Sequence, residues 1–299
     1  MRIPIKKVDA FTIAPLTGNP AGVVVDAEPL TPDQMQLIAR EMAVSETAFI
    51  LPPSIPGADL RIRWFTPVNE VDLCGHATIA SFHALAEDGL RGMSGLGTFN
   101  FRIESRSGIL PVTVEKSRDE IMILFGLPLP EFTRAGQYKL DVTRLLAVPQ
   151  EELEARMPIV MDRYLYVPIR RLHALYSLRP NMPALGQFLM NRNLHGLCAF
   201  TTETVEPGSS VHSRFFAPGD GIDEDPVTGS ANGPLGVYLF ERGEVEPLGN
   251  SAILIGEQGD AIGRPGRVMI HLSVSENRVE SVQIGGRAVT VLEGEILVP

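Results

Sequence analysis

Two stretches of this chain repeat one another, and no other feature restricts the fold as much. Residues 63–89 read RWFTPVNEVDLCGHATIASFHALAEDG, and residues 214–243 read RFFAPGDGIDEDPVTGSANGPLGVYLFERG. Each begins with Arg, an aromatic residue, Phe, a small residue and Pro. Each then crosses an acidic turn and reaches Gly followed by a polar side chain, Cys74-Gly75-His76 in one and Thr228-Gly229-Ser230 in the other. A helix-like run without charge follows, ends in an acid and stops at Gly. Gly75 and Gly89 stand 14 residues apart, as do Gly229 and Gly243, and the copies lie 154 residues apart. That period is too long for a solenoid. It indicates duplication of a whole domain.

A helix that is apolar all round must be enclosed on every side. In a chain dominated by strand patterns, the enclosure is a curved sheet wrapped around one central helix, present twice. The backbone N–H groups that open such a helix have no internal partners, and the helix dipole adds partial positive charge there. Glycine at that point lets a ligand approach the backbone closely. Two such starts facing a shared cleft predict an anion site for a small carboxylate-bearing molecule, held by Gly75–His76 and Gly229–Ser230. Taken singly, each motif also has a plainer explanation. Gly before a buried helix often serves packing alone, and Ser230 or Thr228 can be a simple N-cap.

Composition narrows the classes. The chain has 299 residues, 44% apolar and 21% charged, with a net charge of -10. This is ordinary for a soluble globular protein of about two domains. An acidic surface argues against nucleic acid as a partner. No run of about 18 apolar residues predicts a membrane span, and the start MRIPIKKVDAFTIAPL has no signal-peptide pattern. Two cysteines, Cys74 and Cys198, make no disulfide framework and suit a reducing cytoplasm. The six histidines match no zinc spacing, so no metal is expected.

Local patterns predict strands at 3–14, 17–25, 45–53 and 59–67, then three between 98 and 130. Later strand patterns fall at 162–169, 196–204, 210–218 and on both sides of a GRPGR turn at 263–267, with a strand-like close at 282–297. Thr31-Pro32-Asp33-Gln34 predicts a helix start with a capping box. Short helices are expected within 141–157 and at 183–193. The fold class is α+β: two pseudo-symmetric domains, each a curved mixed or antiparallel sheet around a central helix. The expected division is 1–118 joined by the last strand at 287–299, and 119–286.

FTPVNEVDLCGHAT, AVSETAFI, GNPAGVVV, EDPVTGSA and GRPGR, in this order, resemble the phenazine-biosynthesis PhzF-like family, whose fold is that of diaminopimelate epimerase. The resemblance runs from about residue 5 to 295. It implies an active site between two domains, a homodimer, and neither cofactor nor metal. Epimerases and racemases of this fold carry one cysteine before the Gly at each helix mouth. Cys74 matches the first, but Thr228 stands at the second, where a hydroxyl cannot act as a base near neutral pH. In the PhzF branch a glutamate carries protons instead. Glu46 matches it, and Asp225, His76 and Ser230 match residues around the substrate. Asn19 in GNPAG is expected in a loop at the cleft.

By spacing alone Glu46 reads as an outward, solvated acid, Asp225 as part of an exposed acidic turn, and His76 as an ordinary first-turn residue. The resemblance instead implies a partly buried Glu46 with a raised pKa, suited to general acid/base work. The expected function is a cofactor-independent isomerase in a biosynthetic process, with Glu46, His76 and Asp225 catalytic and Asn19, Gly75, Gly229 and Ser230 binding substrate. Two other readings stay open: an amino-acid racemase or epimerase using Cys74, and a carboxylate-binding protein without catalysis.

Overall fold

A computed structural model describes residues 1–299. The chain divides into two compact units, 1–126 with 283–299, and 127–282. The expected junction at 118/119 falls in the turn that enters β8, and this division falls near the end of that strand.

The first unit contains β1 (Arg2–Ala10), β2 (Asn19–Val24), α1 (Pro32–Met42), β3 (Glu46–Leu51), β4 (Leu60–Phe65), β5 (Glu70–Val71), α2 (Gly75–Glu87), β6 (Gly97–Ser105), β7 (Gly108–Lys116) and most of β8 (Ile121–Leu127). The second contains β9 (Thr133–Arg134), α3 (Lys139–Leu145), β10 (Val160–Met161), β11 (Tyr164–Pro168), α4 (Leu172–Ser177), α5 (Met182–Met190), β12 (Gly196–Thr201), β13 (Val211–Ala217), β14 (Ile222–Asp225), α6 (Gly229–Glu241), β15 (Ser251–Gln258) and β16 (Gly266–Ser275). It also holds the first part of β17 (Arg278–Gly286). β18 (Ala288–Leu297) returns to the first unit and pairs antiparallel with the whole length of β1.

The duplication is legible in the pairing. β2 and β3 are parallel, β3 and β4 antiparallel, β4 and β6 parallel across α2, and β6 and β7 antiparallel. β11 and β12, β12 and β13, β13 and β15 across α6, and β15 and β16 repeat that sequence of directions. Both central helices are buried over nearly their whole length, from His76 to Ala86 and from Ala231 to Phe240.

Side-chain devices recur as well. Arg63 donates to both oxygens of Glu70 at 2.8 and 2.7 Å, and Arg214 donates to both oxygens of Glu224 at the same distances. Each guanidinium also lies 5.0 Å from the ring of the second aromatic residue of its motif, Phe65 or Phe216. This explains the repeated Arg-aromatic-Phe pattern: a planar, bidentate clamp stacks on a ring and fixes the acidic turn that leads to the helix start.

A second layer of helices covers the other side of each sheet. In the first unit Met35, Ile38 and Ala39 of α1 pack with Ile3, Ile5, Phe49 and Phe65. In the second, Val142, Leu175, Leu185 and Leu189 pack with Leu165, Val167, Leu197 and Phe216. The capping box of α1 forms as expected: Thr31 Oγ1 accepts from Gln34 N, and Gln34 Oε1 accepts from Thr31 N. Thr31→Ala should therefore lower stability by about 1 kcal/mol in urea denaturation, without changing the m-value.

Some patterns resolve differently from expectation. The strand expected at 3–14 ends at Ala10, because Phe11 takes φ 63° and starts a loop. That loop closes at Gly18, where φ is +62° and a Cβ would lie 2.3 Å from the Ala10 carbonyl oxygen. Of the helical pattern at 149–157, only one turn forms, at Gln150–Glu152. α4 had no periodic signal, being too short to show one. No helix is long and apolar enough to cross a membrane.

Candidate active site

Glu46 opens β3, opposite Ala21 of β2, and its side chain is 12% exposed. It is neither a solvated surface acid, as spacing suggested, nor fully enclosed. Asn19 opens β2 and is completely buried, so it belongs to the sheet and not to a loop. Cys74 is the N-cap of α2, and His76 is the second residue of that helix; both are buried. The thiol is free.

These residues form one cluster. Cys74 Sγ is hydrogen-bonded to His76 Nδ1 at 3.5 Å, and His76 Nε2 lies 3.3 Å from Glu46 Oε2. A protonated imidazole would make the second contact an ion pair. Burial opposes that charge more strongly and pushes the His76 pKa down to about 3, so the ring is neutral at neutral pH.

Two proton arrangements fit a neutral ring. In one, the thiol donates to Nδ1 and Nε2–H faces a carboxylate. In the other, Nδ1–H donates to a thiolate and Nε2 faces a protonated Glu46. They carry the same number of protons and differ only by a shift along the chain of three groups.

The glycine at this helix start has a packing reason. A Cβ on Gly75 would lie 3.0 Å from the ring of Phe125 and 3.6 Å from Ile284 Cδ1. The missing side chain admits Phe125, the packing role that the sequence left open beside ligand approach.

At the start of α6, Asp225 is buried at the end of β14 and is not part of an exposed turn. Thr228 is the N-cap, yet its hydroxyl does not cap the helix; it donates to Asp225 Oδ2. Gln258 holds this arrangement. Its Oε1 accepts from Thr228 N at 3.0 Å and from Asn232 Nδ2 at 2.9 Å, and its Nε2 donates to the Asp225 carbonyl at 2.8 Å and to Thr228 Oγ1 at 3.1 Å. Ser230 Oγ lies 3.0 Å from the Tyr164 hydroxyl. Neither helix start has a side-chain cap, so neither Ser230 nor Thr228 is the simple N-cap that the motif alone permitted. Gln258, Asn232 and Tyr164 escaped the sequence reading. Gln258 sits 30 residues beyond Thr228 in a strand, and only the β13–β15 pairing brings it back.

The chain is an α+β protein built from two copies of a sheet around a buried helix, with an acid, an imidazole and a thiol gathered at one helix start. The comparisons agree. The chain belongs to the phenazine biosynthesis-like (PhzC-PhzF) family, which matches residues 8–294. An uncharacterized isomerase of Clostridium acetobutylicum is 36% identical, covering 97% of each chain. Trans-2,3-dihydro-3-hydroxyanthranilate isomerase of Pseudomonas chlororaphis is 32% identical, over 97% of this chain and 98% of that one. Among solved structures, a PhzF-family phenazine biosynthesis protein of Bacillus anthracis superposes with a TM-score of 0.87 at 32% identity, covering 99% of each chain. A hydroxyproline epimerase of Agrobacterium vitis shares the fold alone, with a TM-score of 0.60 at 12% identity, over 99% of this chain and 92% of that one. The protein is an isomerase of the PhzF-like type.

Proposed function

We propose that this isomerase moves a proton between carbons of a small carboxylate-bearing substrate by general acid/base catalysis, with Glu46 as the proton carrier and without a cofactor. The observation that carries this reading is the cluster at the start of α2, where Glu46 stands 3.3 Å from a neutral His76 that is itself hydrogen-bonded to Cys74. A neutral imidazole can pass a proton on one nitrogen while taking one on the other, without the cost of a buried cation. In this reading the uncapped N–H groups of Gly75 and His76 hold the substrate carboxylate, with Gly229 and Ser230 supplying the matching donors of the second unit. Asp225 and His76 orient an amino or hydroxyl group, and Asn19 fixes the entry to β2 beside Glu46.

The reading does not commit the enzyme to phenazine chemistry, but the compound in the Pseudomonas relative's name is the natural first probe. Incubation with trans-2,3-dihydro-3-hydroxyanthranilate and a panel of small carboxylates in heavy water, followed by NMR, should show an isomerised product or a new carbon–deuterium bond. If no compound is isomerised or exchanged while calorimetry still detects carboxylate binding, the protein binds its ligand without catalysis and the proposal fails.

A further inference from the structure

We propose that Glu46, Cys74 and His76 form a three-ligand site for a thiophilic divalent cation, specifically Zn²⁺, which occupies the acid/base cluster reversibly. One ligand atom from each of the three residues lies within 4.8 Å of the other two. His76 Nε2 is 4.0 Å from Cys74 Sγ and 3.3 Å from Glu46 Oε2. Tetrahedral zinc with ordinary bond lengths sets its thiolate and imidazole ligands about 3.6 Å apart and its imidazole and carboxylate ligands about 3.4 Å apart. Nε2 and the carboxylate already stand at that spacing; to bind, the thiol must leave Nδ1, 3.5 Å away, and move to the Nε2 side of the ring, with the three ligand atoms starting within 4.8 Å of one another.

The donor set decides which cation. Thiolate and imidazole favour zinc over the hard cations magnesium and calcium. Two anionic ligands and one neutral ligand also cancel the charge of a divalent ion, which a largely buried site requires. Three protein ligands leave a fourth position for water, the arrangement of an open zinc site. Cys74 must bind as the thiolate, so zinc replaces the thiol proton, which leaves to solvent, and no oxidant or reductant is needed. The backbone supports the arrangement. Cys74 and His76 are fixed by the first turn of a buried helix, where Thr78 N and Oγ1 both donate to the Cys74 carbonyl at 3.2 and 2.6 Å. Glu46 is fixed by the first rung of β3.

Binding follows from this geometry alone. That bound zinc also stops turnover rests on the proposed role of Glu46, whose carboxylate the metal would engage. Zinc then acts as an inhibitor that competes with the proton for the catalytic groups, not as a cofactor.

The experiment is a zinc chloride titration of the reduced protein against a chromogenic chelator, with X-ray absorption at the zinc edge. One zinc per chain is expected, with a single sulfur neighbour at about 2.3 Å and the remainder nitrogen or oxygen. Cys74→Ala and His76→Asn should each weaken binding by more than about 100-fold, beyond the loss that changes outside the ligand set produce. Cys198→Ala, which removes the other thiol, should leave the stoichiometry at one. A spectrum with no sulfur neighbour, or unchanged affinity in both ligand variants, overturns the site. The absorption measurement uses the native chain, so it decides the matter even where a variant folds poorly. Zinc bound as described while deuterium exchange into substrate continues would keep the site and remove Glu46 from the proposed mechanism, so the two readings fail separately.

Discussion

Glu46→Gln is expected to lower kcat by about 10²–10⁴-fold, the range general acid/base groups contribute, while leaving the enzyme folded. The amide has the size of the carboxyl it replaces, and its oxygen can still face Nε2–H of His76. The side chain opens a strand and is partly exposed, so no buried charge is left without a partner. What the variant loses is the ability to take up and release a proton. The measurement is the initial rate with a compound that scores in the heavy-water assay, together with a thermal melt. Glu46→Asp keeps the acid and draws it back by one methylene, so it should fall between wild type and Glu46→Gln. A Glu46→Gln enzyme with wild-type turnover would remove the proton carrier from the proposal. The pH profile offers a second check. Burial holds His76 neutral down to about pH 3, so this imidazole adds no limb to kcat between about pH 5 and 8. A limb near the ordinary histidine value of 6.5 that vanishes in His76→Asn would contradict that assignment.

The duplicated fold was legible because two independent periodicities coincide. The Arg-aromatic-Phe-small-Pro pattern precedes an uncharged helix in both halves, and a helix apolar on all faces has few places to go. The cluster at Cys74 and His76 was legible for a related reason: both residues are neighbours in sequence at a helix start, so local geometry alone brings them together. Glu46 was different. Its alternating strand context fits an outward residue equally well, and only the parallel β2–β3 pairing turns it toward α2. Glu70 and Glu224, which the two Arg clamps grip, looked like any acid in a turn. Gln258 and Glu257 were invisible, because their roles depend on where β15 lies beside β13, and no spacing along the chain encodes that. The short strands β5 and β14 had too few residues to display a period, and Asp225 accordingly read as an exposed turn acid.

Glu257 carries the second large effect, on stability. Its carboxylate is completely buried, as is the imidazole of His212. Oε2 accepts from His212 Nδ1 at 2.7 Å and from Val205 N at 2.8 Å, and Oε1 accepts from Glu206 N at 2.8 Å. Glu104 performs the matching task in the first unit, accepting from Ser54 N at 2.6 Å and Ile55 N at 3.2 Å, so each unit uses a strand acid to clamp the loop before its β4 or β13. Desolvation alone would raise the Glu257 pKa, but the donors converging on it, with His212 the largest contributor, win and hold it at about 2. Glu257→Gln leaves one acceptor oxygen where two are used and turns an NH₂ group toward donors. Removing one partner of a buried pair in this way should cost about 3–5 kcal/mol in urea denaturation at neutral pH. The sign of the pH dependence follows from the lowered pKa. The stability this carboxylate contributes is fully present above its unfolded value of 4.5 and is lost as pH falls from there toward about 2. The gap between wild type and Glu257→Gln should therefore hold from neutral pH down to about 5 and narrow by about pH 3.5, because the wild-type protein alone is losing this contribution. The lowered pKa of His76 adds a separate loss beginning at the ordinary histidine value of 6.5, and this loss is common to both proteins, so it cancels in the comparison. A gap that stays constant through the acid range, or a variant as stable as wild type at neutral pH, would show that the carboxylate is not the group holding this loop.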